Sequence, residues 1–222
     1  ISQAILVLTG TVSDTVWYAI LTAGSGIGMV ILAAVYARIN DLDVGFLDFK
    51  LPGLRDFGYC VLGFVILIFG LLVIGLVTDL LGIQTATHSI VETAQETNNA
   101  DIFLAFIPLS ILVIGPSEEL FYRNFIQKSL YEHFDRVHAV LVASVLFALV
   151  HIPAYLTGGV AALLTTLPAI FLLSLVLGES YRRTRNLIVP ILLPRSFNAF
   201  QFYAQYVVQT SDLSTAAGTL IP

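Results

Sequence analysis

The chain has 222 residues, of which 57% are hydrophobic and only 11% charged, with a formal net charge of −5. A soluble domain carries roughly 25% charged residues. The deficit here, with a mean hydropathy of +0.90, excludes a water-soluble fold and suits a surface that faces hydrocarbon, where ionised groups are costly.

The chain opens on ISQAILVLTG, which lacks the basic n-region of a signal peptide and reads as the end of a further span. Six apolar stretches follow, at roughly 15–37, 57–83, 101–122, 137–152, 158–180 and 187–209, each approaching the ~20 residues that cross a bilayer as helix. Trp17 and Tyr18 suit an aromatic belt at the first of them. The segment RINDLDVGFLDFKLPGLRD between the first two alternates apolar and charged residues and reads as an interfacial connection. Residues 84–100 are polar and read as the longest loop. Cys60 stands alone in an apolar run, as a small buried hydrophobe that permits no intrachain disulfide. The expected architecture is an all-α membrane protein, a bundle of about six transmembrane helices forming one membrane domain over residues 1–222. Two irregularities are predicted within it. An unbroken helix from 101 to 132 would be roughly 48 Å long against a hydrocarbon core of ~30 Å, so it should protrude or break at Gly115–Pro116. Pro190 and Pro194, each lacking a backbone donor, should kink or unwind the last span.

Basic residues alternate between connections. Arg38, Lys50 and Arg55 lie in the first, Lys128 and Arg136 in the third, and Arg182, Arg183 and Arg185 in the fifth, while the second and fourth contain no Lys or Arg. By the positive-inside rule the basic connections are cytoplasmic in a multi-pass protein of the cell membrane, with residues 84–100 and the C-terminus outside. The absence of a basic patch argues against nucleic acid as a partner.

Three polar clusters interrupt the apolar helices. In GPSEELFYRNF, Glu119 and Arg123 are four residues apart and share a helix face, so they can pair. Glu118 is rotated about 100° from Glu119 and has no partner nearby in sequence, which suits a general base. The bland alternative is a solvated helix end at the interface. In FALVHIP, Phe147 and His151 are one turn apart and can face one neighbour; a polar anchor is the plainer reading of His151. In NLIVPILLPRSFNAFQF, Arg195 and Asn198 lie inside an apolar run, facing either a wet cavity or a helix neighbour that they hold by packing. Counted from the expected turn at His133–Arg136, Glu118 and His151 fall at a similar level of an antiparallel hairpin, roughly 25 Å from that turn.

EExxxR, then FxxxH, then a late proline-containing helix ending in Asn, together resemble the CAAX protease and bacteriocin-processing family of membrane proteins, which includes the type II prenyl-protein endopeptidases. The likeness covers a catalytic core at about residues 100–209. It implies an intramembrane glutamate-dependent endopeptidase acting on a peptide or protein substrate near the membrane surface. Glu118 would activate water, Glu119 and Arg123 would brace the helix with Phe147 beside them, His151 would position the water, and Asn198 would stabilise the oxyanion. The family's last motif is HxxxN, and here Pro194 stands at the His position. On a regular helix Arg195 points about 100° away from that position. The donor is then missing, or a kink at Pro194 swings Arg195 into its place.

Some relatives have been described as metalloproteases. A catalytic zinc needs three protein ligands, and His151 is the only His in an apolar span, since His88, His133 and His138 lie in or beside connections. Direct activation of water by carboxylate and imidazole, without a metal or other cofactor, is the favoured expectation. The rival functions are a pseudoprotease that binds a peptide or membrane partner without cutting it, which Pro194 favours, and a transporter, whose matched broken helices are not seen.

Overall fold

The structure, a computed structural model, describes residues 14–82 and 88–211; the apolar opening segment lies outside them. Among the described residues all regular structure is helical. In chain order these are α1 (Asp14–Ile39), a 3-10 turn at Val44–Leu47, α2 (Leu54–Leu81), α3 (Ser89–Glu96), α4 (Asp101–Leu130), α5 (Arg136–Val150), a second 3-10 segment at Ile152–Gly158, α6 (Gly159–Thr184) and α7 (Ile188–Thr210). Among the described residues four helices are long and apolar enough to cross a bilayer: Thr15–Ile39, Leu54–Leu81, Asp101–Leu130 and Leu163–Thr184. The chain is a membrane protein. The two other expected spans are weaker on different grounds. The 15 residues of α5 rise only ~22 Å, and α7 is interrupted by Arg195, Asn198, Gln201 and Gln205.

Lipid exposure explains the surface of α2, which buries only Gly63 and Leu67. A Cβ on Gly63 would lie 2.8 Å from Leu193 Cδ1, so a glycine is what lets α2 and α7 approach, the small-residue contact that membrane helices use. Cys60 lies on the same side, partly buried, its thiol 3.9 Å from the Val189 carbonyl of α7. Tyr18 packs on the core cluster of Ile90, Ala94, Ile102, Phe103 and Phe106.

Three departures from the sequence reading have local causes. Residues 84–100 are not all loop: α3 forms there because Ile90 and Ala94 bury against Ile102, Phe103 and Phe106. The helix α4 runs unbroken through Gly115–Pro116, but its turns widen to π geometry at Ser110–Ile114 and Leu120–Gln127. The wider turn before Pro116 accommodates a residue with no N–H to give. Likewise α7 is not unwound. Pro190 occupies its first turn, where the N–H has no intrahelical partner in any case, and Pro194 is carried inside the continuing helix.

The end of the bundle that carries the basic connections is fastened by polar side chains. Asp48, in the left-handed conformation at φ 51°, accepts from Lys128 Nζ at 2.8 Å and from the Tyr181 hydroxyl at 2.7 Å. Asn124 Nδ2 donates to the Phe46 carbonyl at 3.0 Å and to the Tyr181 hydroxyl at 3.1 Å. Gln127 Nε2 donates to the Tyr131 hydroxyl at 2.7 Å and to the Gly178 carbonyl at 3.0 Å. The Leu187 N–H closes onto the Asp48 carbonyl at 3.0 Å. The interfacial connection is thereby tied to α4, α6 and the turn between α6 and α7.

Candidate active site

The GPSEE turn of α4 packs against α7 and α1, and the turns that follow it, Leu120–Gln127, pack against α5. Glu119 and Arg123 pair at 2.9 Å with both side chains 0% exposed, and Arg123 Nη2 also donates to Ser174 Oγ of α6 at 2.9 Å. A buried ion pair is costly to break because the surviving charge is left in a medium of low dielectric. This pair therefore fixes the rotation of α4. Glu118 is partly buried and has no hydrogen bond or ion pair among the described residues.

An aromatic chain leads from Arg123 to His151. The guanidinium lies 5.1 Å over the Phe147 ring, Tyr122 meets that ring edge-on at 5.0 Å, and His151 lies 4.5 Å beyond it. His151 caps the C-terminal end of α5 instead of lying within the helix. Its Nδ1 is 2.7 Å from the Phe147 carbonyl. A carbonyl only accepts, so Nδ1 carries the proton and Nε2 offers its lone pair. Glu118 is within electrostatic reach of Tyr122 and of Tyr155, which lies in the 3-10 segment just past His151.

From α7, Arg195 reaches the same turn of α4. A Cβ at Gly115 would lie 2.6 Å from Arg195 Cγ, so the arginine stem lies directly on the glycine. Gly115 leaves room for that stem against α4. Arg195 and Asn198, both partly buried, have no side-chain hydrogen bond among the described residues, and Pro194 is buried. These two polar side chains, three residues apart, occupy adjoining positions on α7.

Residues 100–200 match a protein-family profile described as "Type II CAAX prenyl endopeptidase Rce1-like". The chain carries an Rce1-like domain. The family that this stretch resembles is one of CAAX-type prenyl endopeptidases. Comparison with curated proteins and with solved structures found no match. The Rce1-like domain begins at α4 and ends within α7, so it contains Glu118, Glu119, Arg123, Phe147, His151, Pro194, Arg195 and Asn198. It excludes α1 to α3.

One residue at the junction of α5 with the 3-10 segment went unread in the sequence. His88, dismissed as part of a connection, is partly buried and meets the Tyr155 ring edge-on with centroids 5.1 Å apart. Its only sequence signal is its place before the amphipathic SIVETAQE segment, whose first turn it caps. Among the described residues, no group of three or more His, Cys, Asp or Glu side chains stands close enough together to hold an ion.

Proposed function

We propose that the Rce1-like domain is a glutamate-dependent endopeptidase that hydrolyses a peptide bond of a membrane-associated peptide or protein. Glu118 accepts a proton from water as the water oxygen bonds to the scissile carbonyl carbon. His151, through Nε2, holds that water in line. The negative charge that develops on the carbonyl oxygen is received by N–H donors, of which Asn198 is one. When the tetrahedral intermediate collapses, the C–N bond breaks and Glu118 returns its proton to the leaving amine. The Glu119–Arg123 pair takes no part in bond making; it holds the helix that carries Glu118. Water activation uses carboxylate and imidazole, and a chelator should leave cleavage intact; loss of cleavage with EDTA, restored by zinc, would overturn that.

The observation that carries this reading is the contrast between two adjacent glutamates: Glu119 is paired and buried, while Glu118 has no partner among the described residues and lies within electrostatic reach of Tyr155, just past His151. A carboxylate held without a partner is a cost that a purely structural role does not explain. The test is purified protein in detergent with a peptide library that includes prenylated and unprenylated members. Cleavage by the native chain and none by Glu118→Gln is expected; equal cleavage by both removes Glu118 from the chemistry.

Pro194 favours a second reading, a pseudoprotease that binds a peptide or a membrane partner. Proline supplies neither a side-chain donor nor an N–H, and an oxyanion donor is worth about 10²–10³ in rate. Retention of a library peptide without cleavage, equally by native chain and Glu118→Gln, would establish it. For orientation, we propose that the basic connections are cytoplasmic and residues 84–100 outside. A cysteine placed in 84–100 should then react with an impermeant thiol reagent on intact cells, and one at 182–185 should not.

A further inference from the structure

We propose that His88 is a further catalytic residue, whose Nε2–H supplies the site with the donor that Pro194 cannot. The inference rests on the endopeptidase reading above and adds a residue from outside the Rce1-like domain.

The argument starts from the tautomer. The Ile90 N–H donates to His88 Nδ1 at 3.2 Å. Nδ1 is therefore the acceptor, and in the neutral ring Nε2 must carry the proton. That bond caps the first turn of α3, and Ile90 and Ala94 anchor α3 in the core cluster. The ring is thus fixed at its backbone end while Nε2–H has no acceptor among the described residues. Its surroundings are those of the site. Tyr155 meets the ring edge-on, Glu118 reaches Tyr155 electrostatically, and the His88 and His151 imidazoles interact across the junction. Burial, with the neighbouring His151, lowers the His88 pKa to about 4, so at neutral pH the ring is uncharged and keeps this tautomer. A fixed, neutral N–H at the Tyr155 junction is suited to an oxyanion donor, because it needs no reorganisation as charge develops. In the proposed step it forms a hydrogen bond to the carbonyl oxygen as that oxygen gains charge, and it transfers no proton.

Two variants separate the donor from the cap. Asn is a strong N-cap, so His88→Asn keeps the bond to the Ile90 N–H and loses only the distal donor. His88→Gln places an amide N–H nearer the position of Nε2 and sacrifices the cap. Cleavage of the peptide library substrate by His88→Asn should fall in kcat by about 10²–10³ with KM and Tm unchanged. His88→Gln should retain at least tenfold more activity than His88→Asn at a lower Tm. His88→Asn cutting within threefold of the native rate overturns the proposal, as does an equal loss in both variants that follows Tm. If native protein and Glu118→Gln both leave every peptide uncut, the endopeptidase reading has failed, and the placement of His88 is judged separately by 15N NMR. There His88 should titrate near pH 4, and higher in His151→Phe; titration near 6.5, unmoved by His151→Phe, would place it in solvent and overturn the proposal.

Discussion

Helix α4 carries two polar clusters little more than one turn apart, and they are finished differently. Toward its C-terminal end, Arg123, Asn124, Gln127 and Lys128 each make at least one hydrogen bond or ion pair to another element or turn. One turn earlier Glu118 makes none among the described residues, and at the junction around Tyr155, which Glu118 reaches electrostatically, His151 Nε2 and His88 Nε2–H are likewise without a partner among the described residues. Both clusters cost desolvation. The first recovers part of that cost through these bonds, although Glu119 Oε1, Arg123 Nη1, Asn124 Oδ1 and Gln127 Oε1 are buried there without a partner among the described residues. What sets Glu118 apart is that its side chain makes no hydrogen bond or ion pair at all among the described residues.

The comparison breaks most sharply at the two adjacent glutamates. Glu118→Gln should abolish measurable cleavage, by about 10²–10⁴ for loss of a general base, and leave thermal stability in detergent unchanged. Glu119→Gln should do the reverse first. It strands Arg123 without a counter-charge, which costs about 3–5 kcal/mol for a buried pair, so its Tm should fall well below that of the native chain. Equal effects of the two substitutions on Tm would erase the distinction between a paired and an unpaired glutamate.

How legible was this in the sequence? Local relations were. Hydrophobic runs gave the helices to within a few residues, as in 57–83 against Leu54–Leu81, and the i,i+4 spacing gave the Glu119–Arg123 pair. The pattern EExxxR, FxxxH and a late Asn pointed to the same residues that the Rce1-like match encloses. Illegible were relations across long separations. Asp48 meets Lys128 and Tyr181 at separations of 80 and 133 residues. His88 lies 63 residues before His151 and enters the site only because α3 folds against α4. The widened turns of α4 were also missed, because an i→i+5 bond leaves no mark in hydrophobic period, and the room for Arg195 depends on Gly115, 80 residues away.

The structural cluster has its own weak point at Gly178. A Cβ there would lie 2.8 Å from Gln127 Oε1 and 3.0 Å from Val140 Cγ1. Gly178→Ala should therefore push α6 from α4 and α5 and cost about 1–3 kcal/mol, the usual range for overpacking. Cleavage at permissive temperature should survive, because Gly178 lies against none of Glu118, His151 and His88. A variant as stable as the native chain would show that Gln127 turns aside freely and that this end of the bundle is looser than its hydrogen bonds indicate.

The smallest effect concerns Asp48, which lies outside the membrane spans and can be titrated. Its partial burial raises the carboxyl pKa, but the hydrogen bonds from Lys128 and Tyr181, with the charges of Lys128 and Arg185, outweigh burial and hold it below the usual 3.8. A carboxyl depressed on folding binds fewer protons in the native state than in the unfolded chain. Its stabilisation is therefore complete above the unfolded value and is lost as pH falls through the folded one. Asn tolerates the left-handed conformation that Asp48 adopts and replaces a charged acceptor by a neutral one, a loss of about 1–2 kcal/mol. Asp48→Asn should unfold at a lower temperature than the native chain at pH 7. The gap should narrow as the pH is taken below about 4, where the native carboxyl is itself protonated. Its cleavage rate at low temperature should match the native rate, since the fastening cluster serves only to hold α4. A gap that stays constant down to the acid limit would mean that the Asp48 charge contributes nothing and that the fastening is carried by Asn124, Gln127 and the Leu187 N–H instead.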